Sequence, residues 1–312
     1  MAEPLGLAAL ALDAAFGWPD RLYRRVGHPV GGFARLIAAC ERRWNGPERP
    51  PATRRLLGLV TMLLLVTAAV AAGLALEVLA RTLGGRWWWA VAAPLAWPGL
   101  AQHSLHAHVQ PVAGALAAGE LAAARTAVAR IVGRDVAALD EAGIARAGIE
   151  SLAESFCDGV VAPLFWLLLL GLPGLWAYKA INTADSLIGH REPRWRAFGW
   201  AAARMDDGAN WLPARLSGVL LCLAAGGGWR TMRRDAGLHA SPNAGWPEAA
   251  MAGALGVVLA GPVAYDGRVH ARPWIGGGGR APEAGELGRA LAIYRRACAL
   301  LWVVAGGVAW LR

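Results

Sequence analysis

Long runs of apolar residues, separated by short polar segments, dominate the pattern along the chain. The run from Leu56 to Leu76 holds 21 residues without a charged side chain, and an α-helix needs about 20 apolar residues to cross the hydrocarbon core of a bilayer. Two further long runs carry no charge: Trp87 to Gly119, which begins with three tryptophans typical of a membrane interface, and Gly159 to Tyr178. The pattern predicts an all-α, polytopic integral membrane protein.

Three shorter apolar runs extend from Leu216 to Trp229, from Ala249 to Tyr265 and from Ala297 to Trp310. Runs of this length are compatible with tilted spans, re-entrant pieces or buried core helices. We therefore expect four to six membrane segments, some of them broken or re-entrant. A transmembrane β-barrel is excluded, because it would need alternating strands of about ten residues and these runs are continuous.

The composition points the same way. Hydrophobic residues make up 56% of the chain and charged residues 17%, whereas soluble domains average about 25% charged residues. These values exclude a disordered chain and a coiled coil. No linker rich in Ser, Gly and Pro divides the sequence cleanly, so we expect a single helical membrane domain over residues 1–312.

Positive charge is concentrated before the first long apolar run. The net charge is +9, and nine of the arginines lie between Arg21 and Arg55. A basic cluster beside a span stays on the cytoplasmic side and attracts anionic lipid. The chain has no basic helix interleaved with aromatic residues, so we expect no nucleic-acid partner.

The third long run is interrupted by Pro163 and by Gly171-Leu-Pro-Gly174. If the basic cluster is cytoplasmic, two crossings return the chain and leave residues 120–158 in the cytoplasm. A third full crossing would put residues 179–211 outside, away from the polar segment that precedes the run. Broken backbone at membrane depth is tolerated where it lines a cavity. We predict that this run does not simply cross; cysteines at positions 150 and 192 that react from opposite faces would contradict this.

Several common functional motifs are missing from the sequence. The four cysteines form no CxxC pair, so neither a zinc site nor a disulfide framework is indicated. The first residues lack the basic region of a secretion signal, and we expect no cleaved signal peptide. The one lysine, Lys179, is followed by Ala180, which excludes a P-loop, and no G-x-G-x-x-G fingerprint occurs.

A first polar segment leads into the third apolar run. Arg146, Glu150, Glu154 and Asp158 recur every four residues, so they share one helical face. For Arg146 and Glu150, a salt-bridged stripe on a solvated helix is an equal alternative. Glu154 and Asp158 lie where an unpaired carboxylate is costly, which favours a functional role.

A second polar segment follows the same run. Asn182, Asp185, Ser186 and Gly189 offer oxygen ligands for a metal or a hydroxyl group within about two helical turns. The same residue types also make helix caps and turns, and that interpretation remains open here.

A third polar segment has the composition of a magnesium and phosphate site. Asp206 and Asp207 are adjacent, and Asn210 follows at helical spacing. Carboxylate and amide oxygens suit magnesium, and the flanking Arg204 and Arg215 suit phosphate. The alternative is an interfacial helix with ordinary ion pairs.

Taken together, the polar segments resemble the adenosylcobinamide-phosphate synthases, a family of membrane enzymes of cobalamin biosynthesis. The matching stretches occur in the family's order over about residues 20–275. They are His28-Pro-Val30, Val132-Gly-Arg-Asp135, Glu154 through Pro163, Asn182-Thr-Ala-Asp-Ser186, Phe198-Gly199 with Ala203 through Asp207, Asn210 with Pro213-Ala-Arg215, Ser241 through Trp246, and Tyr265-Asp-Gly267. Two departures are Ser155, where the family usually has Asn, and His190, where it usually has Tyr.

The resemblance implies an ATP-dependent ligase that forms an amide. The carboxylate of adenosylcobyric acid, a cobalt corrinoid, would be joined to an amino-alcohol phosphate such as (R)-1-aminopropan-2-yl phosphate, giving adenosylcobinamide phosphate. ATP and Mg²⁺ are the expected cofactors. The expected location is the bacterial inner membrane, with other membrane enzymes of the corrin pathway and further copies of the chain as candidate partners besides lipid.

On this basis we assign roles to the polar residues as hypotheses. Magnesium ligands would be Asp185, Asp206 and Asp207, and the base that deprotonates the amine would be Glu154 or Asp158. The phosphate clamps would be Arg134, Arg204 and Arg215. The remaining substrate-binding residues would be Asn182, Ser186, Asn210, Ser241 and Asn243.

Two other classes of function fit the same features. A transporter for an anionic metabolite also places polar groups at broken helices. A scaffold that binds a corrinoid for neighbouring enzymes would keep the motifs without catalysis. Amide formation that consumes ATP in detergent distinguishes the enzyme from both.

Overall fold

The computed structural model describes residues 4–265 and 268–311. Seven helices lie in the first part of the chain: α1 Leu5–Phe16, α2 Asp20–Val26, α3 Val30–Trp44, α4 Pro51–Gly84, α5 Trp88–Ala96, α6 Gln102–Ala117 and α7 Leu121–Val128. Seven follow: α8 Glu141–Phe156, α9 Ala162–Ile188, α10 Trp200–Ala209, α11 Trp211–Ala225, α12 Trp229–Asp235, α13 Gly245–Leu255 and α14 Ala284–Leu311. The prediction of a helical fold is therefore confirmed in its main feature.

The exception is a short β region after α13. Strand β1 (Leu259–Ala260) pairs antiparallel with β4 (Trp274–Ile275), in the register Leu259 to Ile275. Between them, β2 (Val263–Tyr265) pairs antiparallel with β3 (Arg268–His270). The apolar run from Ala249 to Tyr265 is thus only partly helical, because α13 ends at Leu255 and Gly256 adopts a left-handed conformation with φ 71°.

Three helical stretches are long and apolar enough to cross a membrane: Pro51–Ala117, Glu141–Ile188 and Ala284–Leu311. Two shorter apolar helices are Leu5–Phe16 and Trp211–Ala225. Along α4, large apolar side chains such as Leu63 and Leu74 are more than half exposed, as in helices that face lipid. The chain fits a membrane protein, and the number of four to six membrane segments stays a prediction.

The helices form two compact units. The first unit contains the chain up to Ala101, the segment Ala162–Asn210 and the chain from Ala305 onward. The second unit contains Gln102–Val161 and Trp211–Val304. The first polar segment therefore lies in the second unit and the second polar segment in the first, whereas the third is divided after Asn210, so that Arg215 belongs to the second unit. Each unit is described by itself below.

In the first unit, α4 packs closely along α9. A Cβ atom on Gly73 of α4 would lie 2.6 Å from the Cα of Pro173, so only glycine permits this approach. The α9 helix is broken at Gly171, whose φ of 69° is left-handed. The Leu172 amide freed by this break donates a hydrogen bond of 3.3 Å to Glu77 of α4. The break expected from the Gly-Leu-Pro-Gly sequence is confirmed, while the path of the run through the membrane remains a prediction.

In the second unit, α8 lies among α6, α7 and α13. Its first turn is capped by Asp140, which accepts a hydrogen bond of 2.8 Å from the Gly143 amide. Near its end, the buried Phe156 packs edge-to-face on Tyr294 of α14, with ring centroids 5.6 Å apart. These contacts hold α8 in place as the helix that carries Glu150 and Glu154.

Candidate active site

The predicted site residues fall into separate groups in the two units. The first unit holds a group that we call the aspartate cluster: Tyr178, Asn182, Asp185, Asp206 and Asn210. The second unit holds a polar cavity that includes two of the predicted residues, Arg134 and Glu154. It also holds a third group around Arg215 and Asn243.

The aspartate cluster is built around the Asp206 carboxylate. Asn182 of α9 donates to one of its oxygens at 3.3 Å, and Asn210 donates to the other at 3.0 Å. The buried Tyr178 hydroxyl donates to the side-chain oxygen of Asn210 at 3.0 Å. The i, i+4 pairing of Asp206 with Asn210 agrees with the sequence prediction, and the contact with Asn182 adds a helix that spacing alone did not supply.

The Asp206 carboxyl is hard to ionise in this setting. Burial, followed by the negative charge of Asp185, raises its pKa to about 7. The hydrogen bonds from Asn210 and Asn182 act in the opposite sense without cancelling these effects. Two neighbouring carboxylates that resist joint ionisation make a favourable place for a cation.

Two of the three predicted carboxylates fit a magnesium site. Magnesium is usually held by one or two carboxylates together with waters and substrate phosphate, and Asp185 and Asp206 supply such a pair. Asp207 instead forms an ion pair of 3.0 Å with Arg204. Among the described residues, no group of three or more His, Cys, Asp or Glu side chains is arranged to hold a metal ion.

Ser186 and its neighbours bond within their own helix. The Ser186 hydroxyl donates to the Asn182 carbonyl at 2.9 Å, and the Thr183 hydroxyl donates to the Lys179 carbonyl at 2.6 Å. The His190 ring lies 3.1 Å from the Ser186 carbonyl. Both hydroxyl groups therefore bond back to carbonyls one turn earlier within α9. The substrate-binding role of Ser186 stays a prediction.

The polar cavity of the second unit has a volume of about 370 Å³. Its lining comes from six separate stretches of the chain and carries both signs of charge. The polar lining side chains are Arg134, Glu150, Ser151, Glu154, Ser155, His239, Glu248 and Arg272. A cavity of this kind can bind a small molecule that itself carries both charges.

Glu150 fixes one wall of the cavity. One of its carboxylate oxygens accepts a hydrogen bond from Arg134, and the other accepts one of 2.7 Å from the Ala260 amide. Glu150 is buried, so it does not belong to a solvated stripe with Arg146. The Arg146 guanidinium instead lies over the Trp274 ring, 4.7 Å from its centroid.

Glu248 is the buried carboxyl of the cavity that the sequence did not single out. The residue is 4% exposed, and its closest described ionic contact is with Nε2 of His239 at 3.7 Å. Burial, followed by the charges of Glu150 and Glu154, raises the pKa of Glu248 well above its usual value. In the sequence, Glu248 has the position of an ordinary acidic residue in the first turn of a helix. The small apolar residues that follow it in α13 are the feature that could have indicated its burial.

His239 is neutral and has a defined tautomer. Burial lowers its pKa, and its Nδ1 accepts a hydrogen bond of 3.0 Å from the Ser241 amide. The ring proton is therefore on Nε2, the atom that faces Glu248.

Arg215, Asn243 and Ser241 form the third group. Arg215 donates to the Asn243 side-chain oxygen at 3.1 Å, and its guanidinium lies over the rings of Trp211 and Trp246. The Ser241 hydroxyl accepts from the Asn243 amide at 3.2 Å. The structure therefore brings together three predicted residues that are up to 28 positions apart.

The remaining predicted positions have distinct places. Asp158 lies in the π-helical turn Cys157–Val161 that follows α8. His28 packs edge-on against Trp18, with ring centroids 5.0 Å apart, and burial lowers its pKa. Within Tyr265-Asp-Gly267, residues 266 and 267 and the Tyr265 side chain lie outside the described part of the structure.

Comparisons with known proteins agree on one family. The model of the family described as CobD/Cbib protein matches residues 6–294. A protein of Rhodobacter capsulatus named cobalamin biosynthesis protein CobD is 50% identical over 307 residues, which cover 97% of this chain and 96% of the relative. Proteins of the same name from Sinorhizobium and Brucella suis are 46% and 45% identical, over 94% and 92% of this chain and 94% and 90% of their own lengths. No solved structure matches.

Proposed function

The chain belongs to the CobD/Cbib family, and we propose that its part in cobalamin biosynthesis is the ATP-dependent amide-forming step. In this reaction the carboxylate of adenosylcobyric acid is joined to an amino-alcohol phosphate such as (R)-1-aminopropan-2-yl phosphate. The product is adenosylcobinamide phosphate. The observation that carries the proposal is the aspartate cluster, in which motif residues of the family resemblance meet at hydrogen-bond distance.

The proposed chemistry has two requirements. A carboxylate is a poor acyl donor, so it has to be activated, and phosphoryl transfer from ATP supplies the activation. An alkyl ammonium has a pKa near 10 and must lose a proton before the nitrogen can attack the acyl carbon. The first requirement calls for a metal and cationic clamps on phosphate, and the second calls for a base.

The aspartate cluster meets the first requirement. Asp185 and Asp206 would hold magnesium, which when bound offsets charge on transferring phosphate. Asn182 and Asn210 fix the Asp206 carboxylate through both of its oxygens. Arg204 forms an ion pair with Asp207. Asp207 would orient this arginine for phosphate, in addition to its predicted role as a metal ligand.

The second unit supplies candidates for the base and for further phosphate contacts. Glu154 lines the polar cavity with Arg134, which favours Glu154 over Asp158 as the proton acceptor. Arg215 is oriented by Asn243 and by two tryptophan rings, a rigid arrangement suited to an anion.

The test is a turnover assay with the full chain in mild detergent. Adenosylcobyric acid, aminopropanol phosphate, ATP and magnesium are supplied, and product mass is followed. We expect a mass gain that matches amide formation and that disappears without ATP. Folded protein that binds the corrinoid without forming product would contradict the proposal and favour transport or a scaffold.

A further inference from the structure

The polar cavity of the second unit offers binding groups at several sides. Glu150 is occupied by Arg134 and the Ala260 amide. Glu154, Glu248 and Arg272 line the same space. The cavity thus presents carboxyl groups and guanidinium groups to one small volume, and not a cluster of one sign.

Glu248 has hydrogen-bonding capacity to offer to an occupant. Its carboxyl is almost fully buried, and 3.7 Å to His239 is too long for a hydrogen bond. Within the described part of the chain, no hydrogen bond reaches the Glu248 carboxyl oxygens. A buried carboxyl without such a bond is costly, and a bound ammonium group would relieve this cost.

The size of the cavity limits the occupant. Its 370 Å³ lies near the lower end of the range of about 300–1,000 Å³ that small-molecule sites occupy. A corrin macrocycle is too large for this space, whereas a molecule of a few carbon atoms with two charged ends is suitable. Arginine is the residue that best matches phosphate geometry, because its planar fork can form two parallel hydrogen bonds.

We propose that this cavity binds a compact aminoalkyl phosphate, with its ammonium group at Glu248 and Glu154 and its phosphate at Arg272 and Arg134. The assignment rests on the proposed function, since such a molecule would be the amine that enters the amide. It adds Glu248, Arg272 and His239 to the site. His239 lies beside Glu248, with its Nε2 atom 3.7 Å from the carboxyl.

The experiment measures binding, without corrinoid or ATP. Phosphoethanolamine is titrated into the full-length protein in detergent by calorimetry, beside inorganic phosphate and ethanolamine as half-molecule probes. We expect saturable binding of phosphoethanolamine and weaker binding of each half. Glu248→Gln and Arg272→Gln should each weaken binding about tenfold or more, since each removes a charge-assisted hydrogen bond.

The matched control is Glu283→Gln, which removes a glutamate of the same unit whose side chain is 75% exposed. This variant should bind as the original protein does, and thermal unfolding checks that all variants fold. Equal affinity of the original protein and both cavity variants, or no binding of phosphoethanolamine, would overturn the inference. Displacement of the probe by phosphatidylethanolamine would reassign the cavity to a lipid headgroup and also overturn it.

The outcome is separable from that of the proposed function. If the protein forms the amide but the cavity variants bind the probe normally, the proposed reaction is supported and the assignment of the cavity is refuted. If probe binding depends on Glu248 and Arg272 but the protein forms no amide, the assignment of the cavity is supported and the proposed reaction is refuted.

Discussion

At the scale of single residues, both oxygens of the Asp206 carboxylate are engaged by asparagine amides. This arrangement fixes the direction of the carboxylate, while Asp185 keeps the local potential negative. A fixed carboxylate pair stabilises a bound cation without further rearrangement. If the cluster holds magnesium as proposed, its function depends on the charge of Asp206 and not only on its shape.

We predict that Asp206→Asn lowers amide-forming turnover by about 100-fold or more, as for the loss of a group that stabilises transition-state charge. The substitution keeps the size of the side chain and removes its charge. Turnover and thermal unfolding are measured on the same preparation. Glu48→Gln, at a side chain that is 70% exposed in the same unit, is the control; turnover within twofold of the original in both variants would remove Asp206 from the site.

Asp207 gives a second prediction at this scale. Asp207→Asn removes the ion pair with Arg204 and one predicted metal ligand, so turnover should be lost while the protein still folds. The exposed pair contributes little to stability. Near-normal turnover in a magnesium-saturated assay would show that Asp207 is dispensable.

Glu248 predicts a dependence of stability on pH. Because its pKa in the folded protein lies well above the usual value of 4.5, the folded state keeps a proton that the unfolded chain has already lost. Stability therefore falls as pH rises above that usual value. The charges that contribute are those of Glu150 and Glu154, which raise the pKa, and of Arg134 and Arg272, which lower it. His239 also faces Glu248, at 3.7 Å.

Glu248→Gln should remove this part of the pH dependence. We expect the variant to match the original protein near pH 4.5 and to be more stable at pH 8, because the raised pKa of Glu248 makes folding of the original less favourable as pH rises. Thermal unfolding in detergent from pH 4.5 to 8 gives the comparison, with Glu283→Gln as control. Parallel curves for the original and Glu248→Gln would contradict the assignment.

The sequence supplied some of these residues and missed others for physical reasons. Asp206 and Asn210 were predictable as a pair because helical spacing brings i and i+4 together. The contact of Asn182 with Asp206 joins residues 24 positions apart and depends on how α9 packs on α10. Glu248 was not predicted because an acidic residue in the first turn of a helix is common for electrostatic reasons alone, and its burial arises from tertiary packing.

At the scale of elements, the contact between α4 and the break in α9 is closest at Gly73. We predict that Gly73→Ala lowers the free energy of unfolding by about 1–3 kcal/mol, because the added methyl would overlap the Pro173 backbone. Thermal unfolding measures the change. Gly114→Ala, in a helix with nothing within 4 Å of the new methyl, should be neutral or stabilising; equal unfolding of both variants would refute the packing argument.

The helices followed from the sequence more directly than the short strands did. Charge-free runs of about 20 residues have few alternatives to a helix in a membrane. The first two strands after α13 lie in the apolar run from Ala249 to Tyr265, and the left-handed Gly256 ends the helix within that run. A short apolar run does not show whether a buried segment is a helix or a strand. The end of α13 at Leu255 was therefore not predictable from the sequence pattern.

At the scale of the whole molecule, the exposed apolar side chains of α4 predict contact with lipid. A spin label at Leu74→Cys should collide more often with oxygen than with an aqueous nickel chelate, because Leu74 is 51% exposed in a long apolar helix. The label at Glu48→Cys should show the reverse. The four native cysteines are buried, and the same reaction on the unsubstituted protein checks that they stay unlabelled. Leu74→Cys that favours the nickel chelate would contradict lipid contact.

The interleaving of the two units has a consequence for synthesis. The segment that packs on α4 begins at Ala162, roughly 80 residues after α4 ends, which corresponds to about 4–16 s at 5–20 residues per second. During that interval the face of α4 that packs on α9 is already made, while the segment Ala162–Asn210, which contains α9, is not. Slowing translation between α4 and α9 should therefore expose the nascent chain to proteolysis for longer.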